Sequence, residues 1–276
     1  MRSLLFCSFL SFILVLPGNV FATGDNYSTG GQNAGLAGSG VAMNGLWSLH
    51  HNQAGLGFTN ALEAGIYYEN RFLLKSLGVQ SLAVVLPTNS GTFGIQYTGS
   101  GNNLYREHQA TLGYGLALGK KISAGLGITY QAIQQPLDYG SRSLFMAEFG
   151  VQYQVNEMLT FGAHVFNVNR AKVHIYNNER APTIFRLGGM YKFSNKTLVT
   201  AEVEKDIDFP VAFRVGFEFK PVEYLYLRAG VASAPVSSSF GAGFLMKGFK
   251  LDLAFSFHRY LGFTPQAGLI YTFQKK

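Results

Sequence analysis

Cysteine occurs once, at Cys7, and tryptophan once, at Trp47. Charged residues are scarce as well, at 13% of the chain. Each scarcity excludes something. A single cysteine rules out an internal disulfide and a thiolate metal site. So little charge, combined with 14% aromatics, argues against disorder and against an ordinary soluble enzyme surface. Beyond the N-terminus no apolar run reaches the ~18 residues of a membrane-crossing helix. That excludes a helical membrane protein for the body of the chain.

What is present is glycine (33), phenylalanine (24) and tyrosine (15) in 276 residues. Such a chain turns apolar side chains outward, as the lipid-facing wall of a transmembrane β-barrel does. The first 22 residues predict an export signal. Arg2 supplies the positive start, Leu4 to Leu16 the apolar stretch, Pro17 and Gly18 the break, and Val20-Phe21-Ala22 the cleavage site. Cys7 lies within it, so the mature chain is expected to start near Thr23 without cysteine. Its net charge then falls from +7 to +6, through loss of Arg2 alone.

Hydrophobic periodicity assigns the rest. Ile122, Ala124, Leu126, Ile128 and Tyr130 alternate with Ser123, Gly125, Gly127, Thr129 and Gln131. Phe249, Leu251, Leu253, Phe255 and Phe257 alternate with Lys250, Asp252, Ala254, Ser256 and His258. A period of two places the sets on opposite faces of a sheet. Fourteen such runs are predicted, the first at 61–70 and the last at 262–273. Most approach the ~9–11 residues of a tilted membrane-crossing strand. Tight connections such as Gly119-Lys120 and Lys247-Gly248 alternate with generally longer ones such as Arg71–Leu77 and Arg170–Ala181. The predicted fold is all-β: an antiparallel up-and-down transmembrane barrel of about 14 strands over 61–276.

Charges obey the same parity. Glu63, Glu148, Arg186, Glu202, Glu204, Arg214, Glu218, Arg228, Lys250 and Asp252 all fall on the polar face. A Lys or Arg at the lipid midplane would cost ~2–4 kcal/mol. Pairing through Ser194–Lys196 sets Arg186 opposite or diagonal to Glu204 and brings Glu202 near Arg214, with Arg228 one strand on. This inward cluster reads as cross-strand ion pairs, with guidance of a polar head group as the alternative. Inward glycines, among them Gly113, Gly115, Gly125, Gly127, Gly188, Gly216, Gly230, Gly241 and Gly243, are expected to widen the lumen.

Residues 23–60 break the strand pattern. They are glycine-rich and contain Asn52-Gln53-Ala54-Gly55-Leu56 just before the first strand, with Leu46, Trp47 and Leu49 upstream. Gly35 to Ala42 lacks the preceding strand and the spacing of a nucleotide loop, and no cofactor is called for. The opening and the Asn-x-Ala-Gly-Leu run resemble the FadL/PorV-like family of outer-membrane barrels, with Gln53 where that family's motif has proline. The resemblance implies a fourteen-stranded barrel with residues 23–60 as a hatch in the lumen, and Asn52, Ala54, Gly55, Leu56 and Trp47 as its motif. It also implies sideways opening near the third strand. Gly91, Gly94 and Gly99 surround a short apolar core there and are the candidate gate; a short strand beside a mobile loop is the alternative.

No Ser, His and acid set supports catalysis, and the scattered histidines give no metal site. The chain is therefore expected not to be an enzyme. Cations on the long loops suit lipopolysaccharide phosphates, led by Arg170, Lys172 and Arg180, which flank His174 and Tyr176; a solvated basic rim is the alternative. Two functions stay open. One is a FadL-like channel for small hydrophobic or amphipathic molecules, although short outer loops leave little material for a pocket. The other is a PorV-like docking barrel for secreted or cell-surface proteins. The implied partners are outer-membrane lipid with lipopolysaccharide, a hydrophobic small molecule, and an envelope or secreted protein. Nothing calls for nucleic acid, and the expected location is the bacterial outer membrane.

Overall fold

The computed structural model describes residues 28–135, 141–173 and 180–273. The export signal, Asp138, His174, Tyr176 and Glu179 lie outside the described residues. Before the barrel come α1 (Gly31–Gly35), α2 (Ser48–His51) and a 3-10 turn at Gln53–Phe58. Seven strands follow: β1 (Glu63–Asn70), β2 (Gly78–Thr88), β3 (Gly91–Gly101), β4 (Arg106–Ala117), β5 (Ile122–Gln134), β6 (Ser141–Gln154) and β7 (Leu159–Phe166). The remaining seven are β8 (Ile184–Ser194), β9 (Thr197–Asp206), β10 (Ala212–Val222), β11 (Leu225–Ser233), β12 (Val236–Met246), β13 (Phe249–His258) and β14 (Gly262–Thr272).

Every strand pairs antiparallel with its chain neighbours, and β1 pairs with β14 to close the barrel. Closure leaves no open sheet edge, which a wall surrounded by hydrocarbon requires. Strand alternation drives this outcome. On β6, Phe145 is 63% exposed and faces outward, while Met146 (1%) and Glu148 (4%) face the lumen. Large apolar side chains outside and polar ones inside invert the soluble pattern, as a lipid solvent demands. All fourteen predicted strands are present.

One end of the barrel carries tight turns. At Lys247 and Gly248 both residues have positive φ (47° and 87°), the two-residue geometry that matches strand twist. The other end carries the longer connections, though Asn102–Tyr105 and Ala234–Pro235 there are short too.

The segment before β1 folds into the turn end of the lumen. Leu36, Leu49, Ala54 and Leu56 are fully buried there, and Trp47 meets Tyr67 edge-on at 6.0 Å. The inward glycines do not leave a wider channel. Most form the footprint of this hatch, while Gly243 makes room for Arg228 and Asp252. A Cβ at Gly115 or Gly125 would lie 2.5 or 2.2 Å from the backbone of Gln53, and one at Gly162 2.2 Å from that of Val41. The side-chain-free wall lets hatch backbone approach closely, so the space expected as lumen is occupied.

Candidate functional site

The hatch is held by directional contacts. The Asn52 side chain accepts from the Ala54 N–H at 3.1 Å, capping the 3-10 turn, and donates to the carbonyls of Val41 (2.7 Å) and Val151 (3.2 Å). Ala54 accepts from Ser123 Oγ at 2.6 Å. Gly55 sits where a Cβ would be 2.5 Å from the Met43 carbonyl, and Leu56 fills the space over Gly113 and Gly115. The motif residues therefore fix the hatch rather than expose a reactive group.

Gln53 stands where the resembled motif has proline, and it makes contacts that proline lacks. Its Nε2 donates to Glu148 Oε2 (2.7 Å) and to the Leu49 carbonyl (2.9 Å), and its Oε1 accepts from His164 Nε2 at 3.1 Å. Glu148 also accepts from Thr129 Oγ1 at 2.6 Å. Sequence reasoning missed this buried set. The available signal was the inward parity of Glu148 and His164 beside an unusual motif residue.

Three further wall carboxylates reach the hatch. Glu202 Oε2 accepts from the N–H groups of Gly40 (2.8 Å) and Val41 (2.9 Å). Glu63 accepts from Leu46 N–H at 2.8 Å, and Glu218 from Gln32 at 3.0 Å. His51 is buried in the hatch, with its Nε2 donating to the Thr29 carbonyl at 2.9 Å. Burial, reinforced by His50 and Arg186, holds its imidazole well below the ordinary range.

The predicted charge cluster divides in two. Arg214 grips Glu204 through both guanidinium nitrogens (2.9 and 2.7 Å), and Arg186 meets the same carboxylate at 2.8 Å. Glu202 lies 3.6 Å from Arg214 and 3.9 Å from Arg186. Arg228 does not join them. It pairs with Glu218 (2.6 Å), directly opposite on β10, and reaches Asp252 on β13 (2.7 Å). Direct cross-strand opposition to Glu218 decides its partner.

The loop end is chemically different. Leu144 (5%), Met146 (1%) and Ala181 (4%) form a buried apolar cluster against Phe166, Ala171 and Val173. Asn167, at φ 57°, turns the chain inward; its side chain donates to Ala181 O and accepts from Ala171 N, both at 2.9 Å. This brings the loop after β7 onto the inward face of β6. Farther along the same loop, Arg170, Lys172 and Arg180 are exposed, with Lys172 and Arg180 bridged and Arg180 donating to the Arg170 carbonyl at 2.8 Å.

The candidate gate glycines lie on an unbroken ladder. β3 spans eleven residues and pairs continuously with β2, from Val79↔Ser100 to Thr88↔Gly91. It likewise pairs with β4 from Thr92↔Gly115 to Gly101↔Arg106. Gly94 faces inward, where a Cβ would touch Leu49 at 3.0 Å. Among the described residues no group of three or more His, Cys, Asp and Glu is placed to hold a metal.

No family model and no curated protein matches this sequence. Solved structures do match. A TodX monoaromatic hydrocarbon channel mutant, from the toluene transporter of Pseudomonas putida, aligns with TM-score 0.73 at 12% identity, over 91% of this chain and 100% of that one. The toluene transporter TbuX of Ralstonia pickettii gives 0.66 at 12% identity, over 90% and 98%. A FadL homologue of Pseudomonas aeruginosa gives 0.62 at 12% identity, over 87% and 96%. The chain shares the fold of these channels: a closed fourteen-stranded barrel with short helices before β1.

Proposed function

We propose that this protein is an outer-membrane channel for small hydrophobic or amphipathic molecules, with tight turns and hatch on the periplasmic side and longer loops outside. The apolar cluster of Leu144, Met146, Phe166, Ala171, Val173 and Ala181 carries the reading. It sits at the outer mouth of a lumen otherwise rich in polar side chains, such as Glu69, Gln96, Glu107 and Thr129. Water-filled pores have no use for such a patch, whereas an apolar guest gains ~25 cal/mol per Å² of apolar surface that it buries. The cluster is built from strand ends and one inturned loop, so short loops elsewhere do not preclude it. A guest docks by replacing Ala171 and Val173 against β6. The shared fold with proteins described as toluene and hydrocarbon channels supports this reading.

Toluene titrated into the protein in lipid nanodiscs tests it. Saturable binding that is weakened by Met146→Gln is expected; partitioning equal to that of empty nanodiscs would overturn it. A docking barrel would need broad outer loops, and two of the described connections at that end, Asn102–Tyr105 and Ala234–Pro235, are short. At the rim, Arg170, Lys172 and Arg180 are proposed to meet lipopolysaccharide phosphates through paired guanidinium and ammonium contacts.

A further inference from the structure

A hydrocarbon would use only one side of the outer mouth. Inward side chains that share one register row run round the wall from Tyr67 through Ser81, Thr98, Gln109 and Gln131 to Leu144. The row is polar on β1 to β5 and turns apolar at β6, where Leu144 joins Met146 in the buried cluster. Gln131 stands directly opposite Leu144. The mouth is therefore amphipathic from side to side.

The hydroxyls of the polar side satisfy one another, with Ser81 and Thr98 2.8 Å apart. The amides do not. Gln96, 3% exposed, donates from Nε2 to Thr98 Oγ1 at 3.0 Å, while its Oε1 is buried without a partner among the described residues. Gln109 lies diagonal to it, opposite Thr98 on one side and Gln131 on the other. The side chains of Gln109 and Gln131 hydrogen-bond to no described residue. Glu107, 4% exposed, is the next inward residue on β4 toward the loops and accepts from the Tyr105 hydroxyl. A buried amide oxygen without a donor is a hydrogen bond left unmade, which a guest can complete. Cations are scarce on this side. Arg106 is the only lysine or arginine on β1 to β5, and it is exposed on the outward parity. Arg71 is engaged with Glu69 at 2.9 Å, and Arg142 is exposed opposite Ile133. A carboxylate guest would therefore meet like charge, whereas an ammonium group would complete charge-assisted hydrogen bonds.

We propose that the molecule taken up at this mouth is an amphiphile with a primary amine end. Its apolar body lies on the Leu144 and Met146 side, and its ammonium group is received by Glu107 and the amide oxygens of Gln96, Gln109 and Gln131. The inference rests on the transport reading above and narrows its substrate class. Gln109 is two strands from Leu144. At ~4.8 Å per strand that is roughly 10 Å, the reach of a small arylalkylamine.

Binding of 2-phenylethylamine, 3-phenylpropanoate and ethylbenzene to the protein in phosphatidylcholine nanodiscs tests this seat, with empty nanodiscs as the blank. The two ions share an apolar body and differ in the charged end. At neutral pH the amine is expected to bind at least tenfold more tightly than the carboxylate. Glu107→Gln is expected to reduce that ratio to about threefold or less. Gln131→Leu, which carries the apolar surface of Leu144 into the seat, is expected to reduce it as well. A ratio of affinities does not depend on how much of a variant is folded. Equal binding of the two ions by a parent that binds ethylbenzene overturns the amine end and leaves transport standing. An undiminished ratio in both variants overturns the seat in the same way. If none of the three compounds binds above the blank, the transport reading fails, and the seat with it.

Discussion

At the tight-turn end of the lumen the wall meets the hatch through oriented polar contacts, whereas at the loop end apolar side chains meet a loop whose backbone is set by Asn167. Below, four carboxylates on four strands each find a hatch donor. Above, Leu144 and Met146 pack against Ala171 and Val173. Buried polar contacts are costly to leave half-made, so the lower region favours one arrangement. Apolar contacts are non-directional and exchangeable, so the upper region tolerates replacement of one apolar group by another. On the proposed channel reading, one half stays closed and the other trades partners.

Deleting residues 24–58 should disturb this contrast most. Planar-bilayer recordings are expected to show a shift from closed to openly conducting barrels, because the glycine footprint would then face water. An inserted deletion variant with parental conductance would show that the hatch is not a plug.

Breaking the anchors singly is a smaller change. Gln53→Pro, which restores the residue of the resembled motif, removes the bonds to Glu148 and His164. Glu148 keeps Thr129 and His164 keeps Glu148, 3.3 Å away, so the cost is that of the lost hydrogen bonds, ~0.5–1.5 kcal/mol each. Protease cleavage of the hatch should accelerate accordingly, and parental protection would mean that Gln53 is not an anchor. The opposite region should respond differently: Leu144→Asn is expected to leave hatch protection unchanged and to weaken toluene binding about tenfold, equivalent to ~1.4 kcal/mol.

Acid should loosen the lower half selectively. His51 is held neutral in the docked hatch by burial, with His50, Arg186 and Arg214 adding to the effect. A released imidazole titrates near ~6.5. With the docked value depressed, docking is fully supported above that pH and weakens as pH falls below it. Channel openings should become more frequent below about pH 6.5, and His51→Gln should blunt the rise. A pH-independent opening frequency in the parent would contradict this role.

The smallest effect belongs to the rim. Replacing Arg170, Lys172 and Arg180 with Gln should weaken lipopolysaccharide binding severalfold at low salt and hardly at all at high salt, because exposed charges are screened. Equal affinity across the salt titration would remove this loop as the contact.

The barrel was legible in the sequence because alternation is a local signal: residues such as Phe145, Met146 and Glu148 declare their faces without help from distant chain. Arg186 opposite Glu204 was legible for the same reason, since a short turn sets that register. Arg228 was less so. Glu218 lies opposite it across a bulged ladder, as Glu204 lies opposite Arg186, but Asp252 arrives from two strands away. The glycine footprint was hidden because a wall glycine looks the same whether it faces space or a buried backbone. The outer-mouth cluster depends on Asn167 adopting positive φ and folding the loop inward, which no periodic pattern records.

The most direct measurement is an anomalous-scattering map of crystals soaked in 4-bromotoluene. The account predicts a bromine peak beside Leu144, Met146 and Phe166 at the outer mouth, with the hatch in place. A peak only between hatch and wall, or none in the lumen at a concentration that saturates binding, would contradict it.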